Sequence, residues 1–317
     1  ALLKGARIRH VLRHTGQDLQ RLQQIHDFFC DIRAAVCGCL REGQGRRSVE
    51  PVTFQRPFNV LPVLSEVALT YRCNLRCAFC YAACGRRGEA QAEMTTAEVK
   101  RVLRIIRHEA KVPSVSFTGG EPALRPDLPE LVRHARKLGL RVNLITNATL
   151  LDRRRVDLLV RAGLHSAQVS LEGPTPEIHD SLTGSPGSFH LTLAGLRRLR
   201  KTGVRVHTNT TISQPNLPHL EDLVRLIHSL GLERFSMNLV IPSGAAAAQR
   251  DLWVSYLDIG AAVRRVKAVA AECGVEFMWY SPTPLCAFNP IAEGLGPKSC
   301  AACDGLLSVS PSGGVLP

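Results

Sequence analysis

The sequence predicts an α/β fold, a parallel sheet rolled into an incomplete barrel. A helical N-terminal segment precedes it and a cysteine-rich C-terminal extension follows. Two observations carry this prediction. Between residues 61 and 280 short β-branched runs alternate with longer amphipathic stretches, and cap or turn residues fall where one gives way to the other. Six such strand–helix units occur, whereas eight would close a barrel.

In chain order, residues 1–60 carry an Arg-, His- and Gln-rich stretch of helical periodicity. Leu12, Leu19, Leu22, Ile25, Phe28 and Phe29 recur at three- and four-residue steps ahead of Cys30, Cys37 and Cys39, and the polar run REGQGRRSVEP then reads as a linker. The expected strands are VLSEVALT (63–70), SVSFTG (114–119), RVNLIT (141–146), SAQVSLE (166–172), VRVHTNTTI (204–212) and RFSMNLV (234–240). Helices are expected over 95–110, capped by Thr95 or Thr96, and over 218–231, ended by Gly231. Strand–helix alternation at this spacing means right-handed crossovers between parallel strands. After residue 280 the chain is rich in Pro, Gly and Cys and has no long helix, which reads as a separate cysteine-bearing module over 281–317. The start at Ala1 and the stop at Pro317, inside an apparent turn and strand, suggest a fragment of something longer.

The composition, 45% hydrophobic and 21% charged over 317 residues, excludes collagen-like, disordered and small disulfide-scaffold classes. No run of about eighteen apolar residues suggests a membrane span. The net charge of +13 comes from 33 Arg and 7 Lys scattered along the chain, without the dense stripe or interleaved aromatics of a nucleic-acid surface. Eleven cysteines, an odd number with no signal-peptide pattern, argue against a secreted disulfide framework. They point to a reducing cytoplasm, where closely spaced cysteines hold metal or do redox work.

The most informative stretch is LTYRCNLRCAFCYAAC, directly after the first expected strand, where active sites of parallel barrels are assembled. Cys73, Cys77 and Cys80 are spaced C-x3-C-x2-C. Three thiolates on one loop suit three irons of a [4Fe–4S] cluster and leave the fourth iron free for another ligand. A zinc site would need Cys84 or a distant partner as fourth ligand, and unliganded cysteines are a further alternative.

The same stretch resembles the signature of the radical SAM enzymes, C-x3-C-x-aromatic-C, with Phe79 as the aromatic residue. The resemblance implies that Cys73, Cys77 and Cys80 hold a [4Fe–4S] cluster. It also implies that S-adenosylmethionine (SAM) chelates the open iron, with Phe79 near its adenine. Further matches follow in order. FTGGEP is similar to the family's GGE element, which implies that Gly119 and Gly120 let the backbone approach the methionyl group and that Glu121 organises the rim. LITNATL resembles a TNG-type strand end, placing Asn147 at the cofactor and Ala148 where Gly is frequent. SLEG resembles an SLDG-type strand end, implying that Ser170 and Glu172 face the cofactor. IPSG (241–244) resembles a P-x-G element and also reads as a plain turn, while Asn209 and Asn216 read either as site or as turn and strand-end residues. Arg72 and Arg76 stabilise a reduced cluster or are solvated loop arginines.

The resemblance spans roughly residues 64–245 and implies a partial (β/α)6 barrel of the radical SAM type. It further implies reductive cleavage of SAM to a 5′-deoxyadenosyl radical, fed by a low-potential donor of flavodoxin or ferredoxin type. The expected substrate is a peptide or protein. A small molecule or tetrapyrrole is the alternative, and a non-catalytic iron–sulfur electron carrier or sensor is the reading from another class. In the tail, the C-x2-C pair Cys300 and Cys303, with Cys286 upstream, suits zinc, a redox pair or an iron–sulfur site. CDGLLSVSPSGGVLP resembles the opening of the SPASM extension, C-x(9–15)-G-x4-C, with Cys303 and Gly313 in place and the closing cysteine due next. That resemblance implies auxiliary [4Fe–4S] clusters with Cys286, Cys300 and Cys303 among their ligands. Cys84 and Cys273 read as structural.

Overall fold

The computed structural model describes residues 64–84, 92–284, 287–296 and 305–316. The expected N-terminal helical segment with Cys30, Cys37 and Cys39, and the tail cysteines Cys286, Cys300 and Cys303, lie outside the described residues. Residues 60–317 form one compact unit.

Strands β1 (Leu64–Thr70), β2 (Ser114–Gly119), β3 (Arg141–Thr146), β4 (Ser166–Ser170), β5 (Arg205–Ile212) and β6 (Arg234–Leu239) pair in sequence order, all parallel. The helices between them are α1 (Thr96–His108), α2 (Leu128–Lys137), α3 (Arg153–Ala162), α4 (Pro176–Thr183), α5 (Ser188–Arg200) and α6 (Leu220–Ser229), and α7 (Tyr256–Cys273) follows β6. These are the six expected units, in one open sheet.

Three further strands join the same sheet. β7 (Glu276–Trp279) pairs parallel with β6, β8 (Leu306–Val309) pairs parallel with β1, and β9 (Val315–Leu316) runs antiparallel to β8. β8 and β9, from within residues 281–317, sit in the same sheet as β1. The β8 register, Leu64 opposite Leu306 through Val67 opposite Val309, gives β1 a hydrogen-bonded neighbour on each side. An uncovered edge on β1 would leave a row of unpaired N–H and C=O groups, which natural sheets avoid.

Alternation along the strands sorts the two faces. Val67, Leu69, Phe117, Leu144, Val169 and Phe235 are fully buried and pack outward against the helices. Most of the intervening positions are polar, and Glu66, Thr118, Gln168, Asn209 and Asn238 line the barrel interior. Helix α1 starts on a capping box in which Thr95 and Glu98 each satisfy the other's backbone, and it buries Val99, Leu103 and Ile106. Helix α6 begins after a short 3₁₀ turn, and the chain leaves it through Gly231, left-handed at φ 67°.

Candidate functional site

The loop that follows β1 is held on every side. The Arg76 and Ala78 amides each donate to the end of α4, at Thr183 O and Leu182 O, both 2.9 Å. From the turn after β6, Ala245 N–H donates to Cys80 O (2.8 Å) and the Gln249 amide to Ala78 O (3.0 Å). Gly244, left-handed at φ 57°, passes so close to Tyr81 O and Cys80 O that a Cβ would overlap them. The Pro/Gly turn of IPSG is therefore a clamp on the cysteine loop. From β3, Asn147 Nδ2 donates to Asn74 Oδ1 (3.1 Å), and Asn74 Nδ2 donates to Thr149 Oγ1 (2.8 Å).

Cys73, Cys77 and Cys80 all carry free thiols and line one cavity of about 450 Å³ at the carboxyl ends of the strands. Phe79, Gly119, Gly120, Asn147, Ser170 and Glu172 line the same cavity. Burial pushes the Cys73 thiol up to about 11 and the Cys77 thiol well above its usual range. Cys80 goes the other way, down to about 6, chiefly because the Cys84 side chain hydrogen-bonds to it. Cys84, read from sequence as structural, thus borders the same cavity. Among the described residues no group of three or more His, Cys, Asp or Glu is arranged to hold a single metal ion. Three free thiols lining one cavity fit the donor set that an iron–sulfur cluster needs.

Gly119 and Gly120 also shape the backbone at the strand ends. A Cβ on Gly119 would overlap Thr70 O, and one on Gly120 would overlap Arg72 O. The two glycines let β2 close against the chain leaving β1, where Gly120 N–H donates to Thr70 O (2.7 Å) and Glu121 N–H to Arg72 O (2.9 Å). Glu121 is fully buried and is not part of the cavity wall. Its carboxylate accepts from Ala123 N (2.9 Å), Thr146 Oγ1 (2.7 Å) and Asn147 N (2.8 Å), so it splices the end of β2 to the end of β3. Arg72 likewise turns away, forming a two-pronged pair with Glu93 at 3.0 and 3.1 Å.

The far wall comes from β4, β5 and α4. Glu172, 2% exposed, accepts from Thr211 N (2.8 Å), and burial raises it to about 8. Asn216, which the sequence left open, is structural: its amide donates to Glu172 O and Thr211 O, both 2.9 Å. Asn209 lines the cavity and donates to Asn238 Oδ1 (2.7 Å). Sequence reasoning missed His179, which is 1% exposed, lines the cavity and accepts the Glu172 N–H at Nδ1 (3.2 Å). Glu66 and Tyr280 were also missed, because nothing in a strand sequence says which face borders a cavity.

Residues 67–228 match the Radical SAM superfamily. The chain is 36% identical over 184 residues to an AdoMet-dependent heme synthase of Oleidesulfovibrio alaskensis, covering 56% of this chain and 46% of that protein. It is 34% identical over 268 residues to a PqqA peptide cyclase of Rhodopseudomonas palustris, covering 81% of this chain and 67% of that protein. The chain spans about half the length of the heme synthases it matches. Among solved structures, Streptococcus suis SuiB bound to S-adenosylmethionine superposes with a TM-score of 0.69 at 18% identity, over 81% of this chain and 60% of that one. An anSMEcpe structure with bound AdoMet and peptide gives a TM-score of 0.64 at 18% identity, over 81% and 74%. At this identity the likeness is one of fold.

Proposed function

The chain belongs to the radical SAM superfamily, and from that premise we propose that it is the catalytic barrel of an enzyme that takes hydrogen from a peptide or protein substrate. Membership implies a [4Fe–4S] cluster and SAM as cofactors. When bound and reduced, the pair supplies a 5′-deoxyadenosyl radical. Cys73, Cys77 and Cys80 are the ligands we assign to the cluster, and the observation that carries this is their convergence, unbridged, on one cavity. Phe79, Asn147, Ser170 and Glu172 line the space around it and are assigned to SAM, with Gly119 and Gly120 shaping the rim. Glu121 acts one step removed by holding Asn147.

Two observations favour a peptide over a tetrapyrrole. Among the described residues the cavity wall contains two carboxylates, Glu66 and Glu172, and no Arg or Lys. With no Arg or Lys there, the described wall offers no cation to pair with the several carboxylates of a heme-type macrocycle. The match to the peptide cyclase also covers more of the chain than the match to the heme synthases. We further propose a low-potential flavodoxin- or ferredoxin-type donor and a cytoplasmic setting; among the described residues no helix is long and apolar enough to cross a membrane. Auxiliary clusters at Cys286, Cys300 and Cys303 remain part of the proposal. They are supported by Gly313, left-handed at φ 87°, which turns the chain between β8 and β9 as the SPASM spacing asks.

The test is anaerobic reconstitution with iron and sulfide, then reduction with SAM present. The expected product is 5′-deoxyadenosine by mass spectrometry, abolished by Cys77→Ala. Cluster-loaded protein that yields none would overturn the enzyme reading. An iron content above four per chain is expected from the auxiliary sites.

A further inference from the structure

A second hollow, a groove of about 350 Å³, lies between the starts of α2 and α3. Both helices follow the carboxyl ends of their strands, so the groove is at the same end of the sheet as the cysteine loop. Its accessible wall is apolar at Leu124, Pro126, Pro129 and Leu158, the last 37% exposed. Arg154 and Arg155 border it, and Arg153 precedes them on the first turn of α3. All three arginines are exposed. Arg155 donates to Leu150 O (2.8 Å), while among the described residues the guanidinium groups of Arg153 and Arg154 have no ion-pair or hydrogen-bond partner. Asp152, the acidic residue on the wall, is engaged in capping the Arg155 N–H (2.7 Å).

The fold itself gains nothing from this arrangement. Cations on the first turn of a helix work against its dipole, and apart from the cap α3 has no acidic residue there to offset them. An apolar hollow rimmed by charge of one sign is the anatomy of a protein interface, and unpaired arginines at its edge suit an acidic partner. The groove is also close to the cysteines assigned to the cluster. Leu151 lines it; two residues back, Thr149 Oγ1 takes the Asn74 Nδ2–H (2.8 Å), and Asn74 adjoins Cys73. Asn147 makes a second connection, its Nδ2 lying 3.1 Å from Asn74 Oδ1 and 4.0 Å from Cys73 Sγ. Two residues of backbone span at most about 7 Å, so the path from groove to cluster ligand is short.

We propose that this groove, with Arg153, Arg154 and Arg155, is the docking surface of an acidic flavodoxin-type electron carrier. The arginines attract the carrier, and the apolar wall receives the dimethylbenzene edge of its flavin. The electron enters beside Asn74 and Cys73. This rests on the electron-donor reading above and gives it a place. The reduced flavin loses one electron, the cluster gains it, and no bond forms or breaks.

The test uses the reconstituted holoprotein with reduced flavodoxin as the probe, under anaerobic conditions. Binding is measured by titration and cluster reduction by stopped-flow absorbance, at low salt and at about 0.5 M salt. Arg153→Glu/Arg154→Glu reverses the charge at the groove. Arg141→Glu/Arg205→Glu makes the same change at the exposed starts of β3 and β5, at the other end of the sheet. We expect the first pair to weaken binding and slow reduction by flavodoxin about tenfold or more at low salt, with the gap closing at high salt. The second pair should stay within about twofold of wild type. Reduction by dithionite, which needs no docking, should be the same in all three proteins. Equal losses from both pairs, no loss from the first pair, or a matching loss with dithionite would each overturn the inference. If dithionite-reduced wild type makes no 5′-deoxyadenosine from SAM, the enzyme reading fails instead, whatever flavodoxin does.

Discussion

Glu172 is the residue whose burial has the clearest thermodynamic signature. Burial raises its folded value to about 8 from an ordinary 4.5. Between those values the folded chain holds a proton that the unfolded chain has released, so stability falls as pH rises through that window. In the cluster-free protein the thermal midpoint should decline between about pH 4.5 and about pH 8, and Glu172→Gln should flatten the decline. Gly120 offers a second test. Because a Cβ there meets Arg72 O, a backbone atom that cannot step aside cheaply, Gly120→Ala should cost about 3 kcal/mol in chemical denaturation and displace the cysteine loop. The GGE motif was legible as a motif, yet its physical work was not. Glu121 finds Thr146 and Asn147, and Gly120 finds Arg72, only after three strand ends have been brought side by side. His179 was invisible for the same reason, since a histidine on a helix carries no sign of the amide it will accept from.

The elements are tied to one another most tightly at Arg125. Its guanidinium, 8% exposed, forks onto Asp127 at 2.9 and 2.6 Å and also donates to Met94 O (2.7 Å) and Leu69 O (3.3 Å). One side chain thereby joins the end of β1, the entry to α1 and the start of α2, with Thr96 completing Asp127 (2.7 Å). Arg125→Met should cost about 2–3 kcal/mol, because it leaves the partly buried Asp127 carboxylate without its guanidinium. Arg72→Met removes a pair whose arginine is 62% exposed and should cost less than about 1 kcal/mol by the same denaturation assay. The six strands expected from β-branched runs lie where the pattern placed them, to within two residues at their ends. β7 and β8 escaped notice because they are only four residues long, too short for periodicity to show, and because β8 exists through its pairing with a strand more than two hundred residues earlier.

At the scale of the whole molecule, charge and polarity are sorted by layer. The positive excess of +13 belongs to the chain at large, while the described wall of the cavity holds no Arg or Lys. Removing β8 and β9 by ending the chain at residue 304 should expose the flank of β1. The expected result is a shift to oligomers or aggregates in size-exclusion chromatography, with a lower thermal midpoint. Composition could not say where the arginines lie relative to the site, and it took the fold to show that the described cavity wall is free of them.

The double pairing of β1 has a kinetic side. A strand bonded on both flanks and buried on its outward face opens only when the whole sheet opens, so the amides of Val67 and Leu69 should rank among the slowest to exchange with deuterium. The cysteine loop hangs from the end of that strand. A chain emptied of metal would therefore keep the seat in shape, and metal assembly becomes a step that follows folding rather than one that drives it.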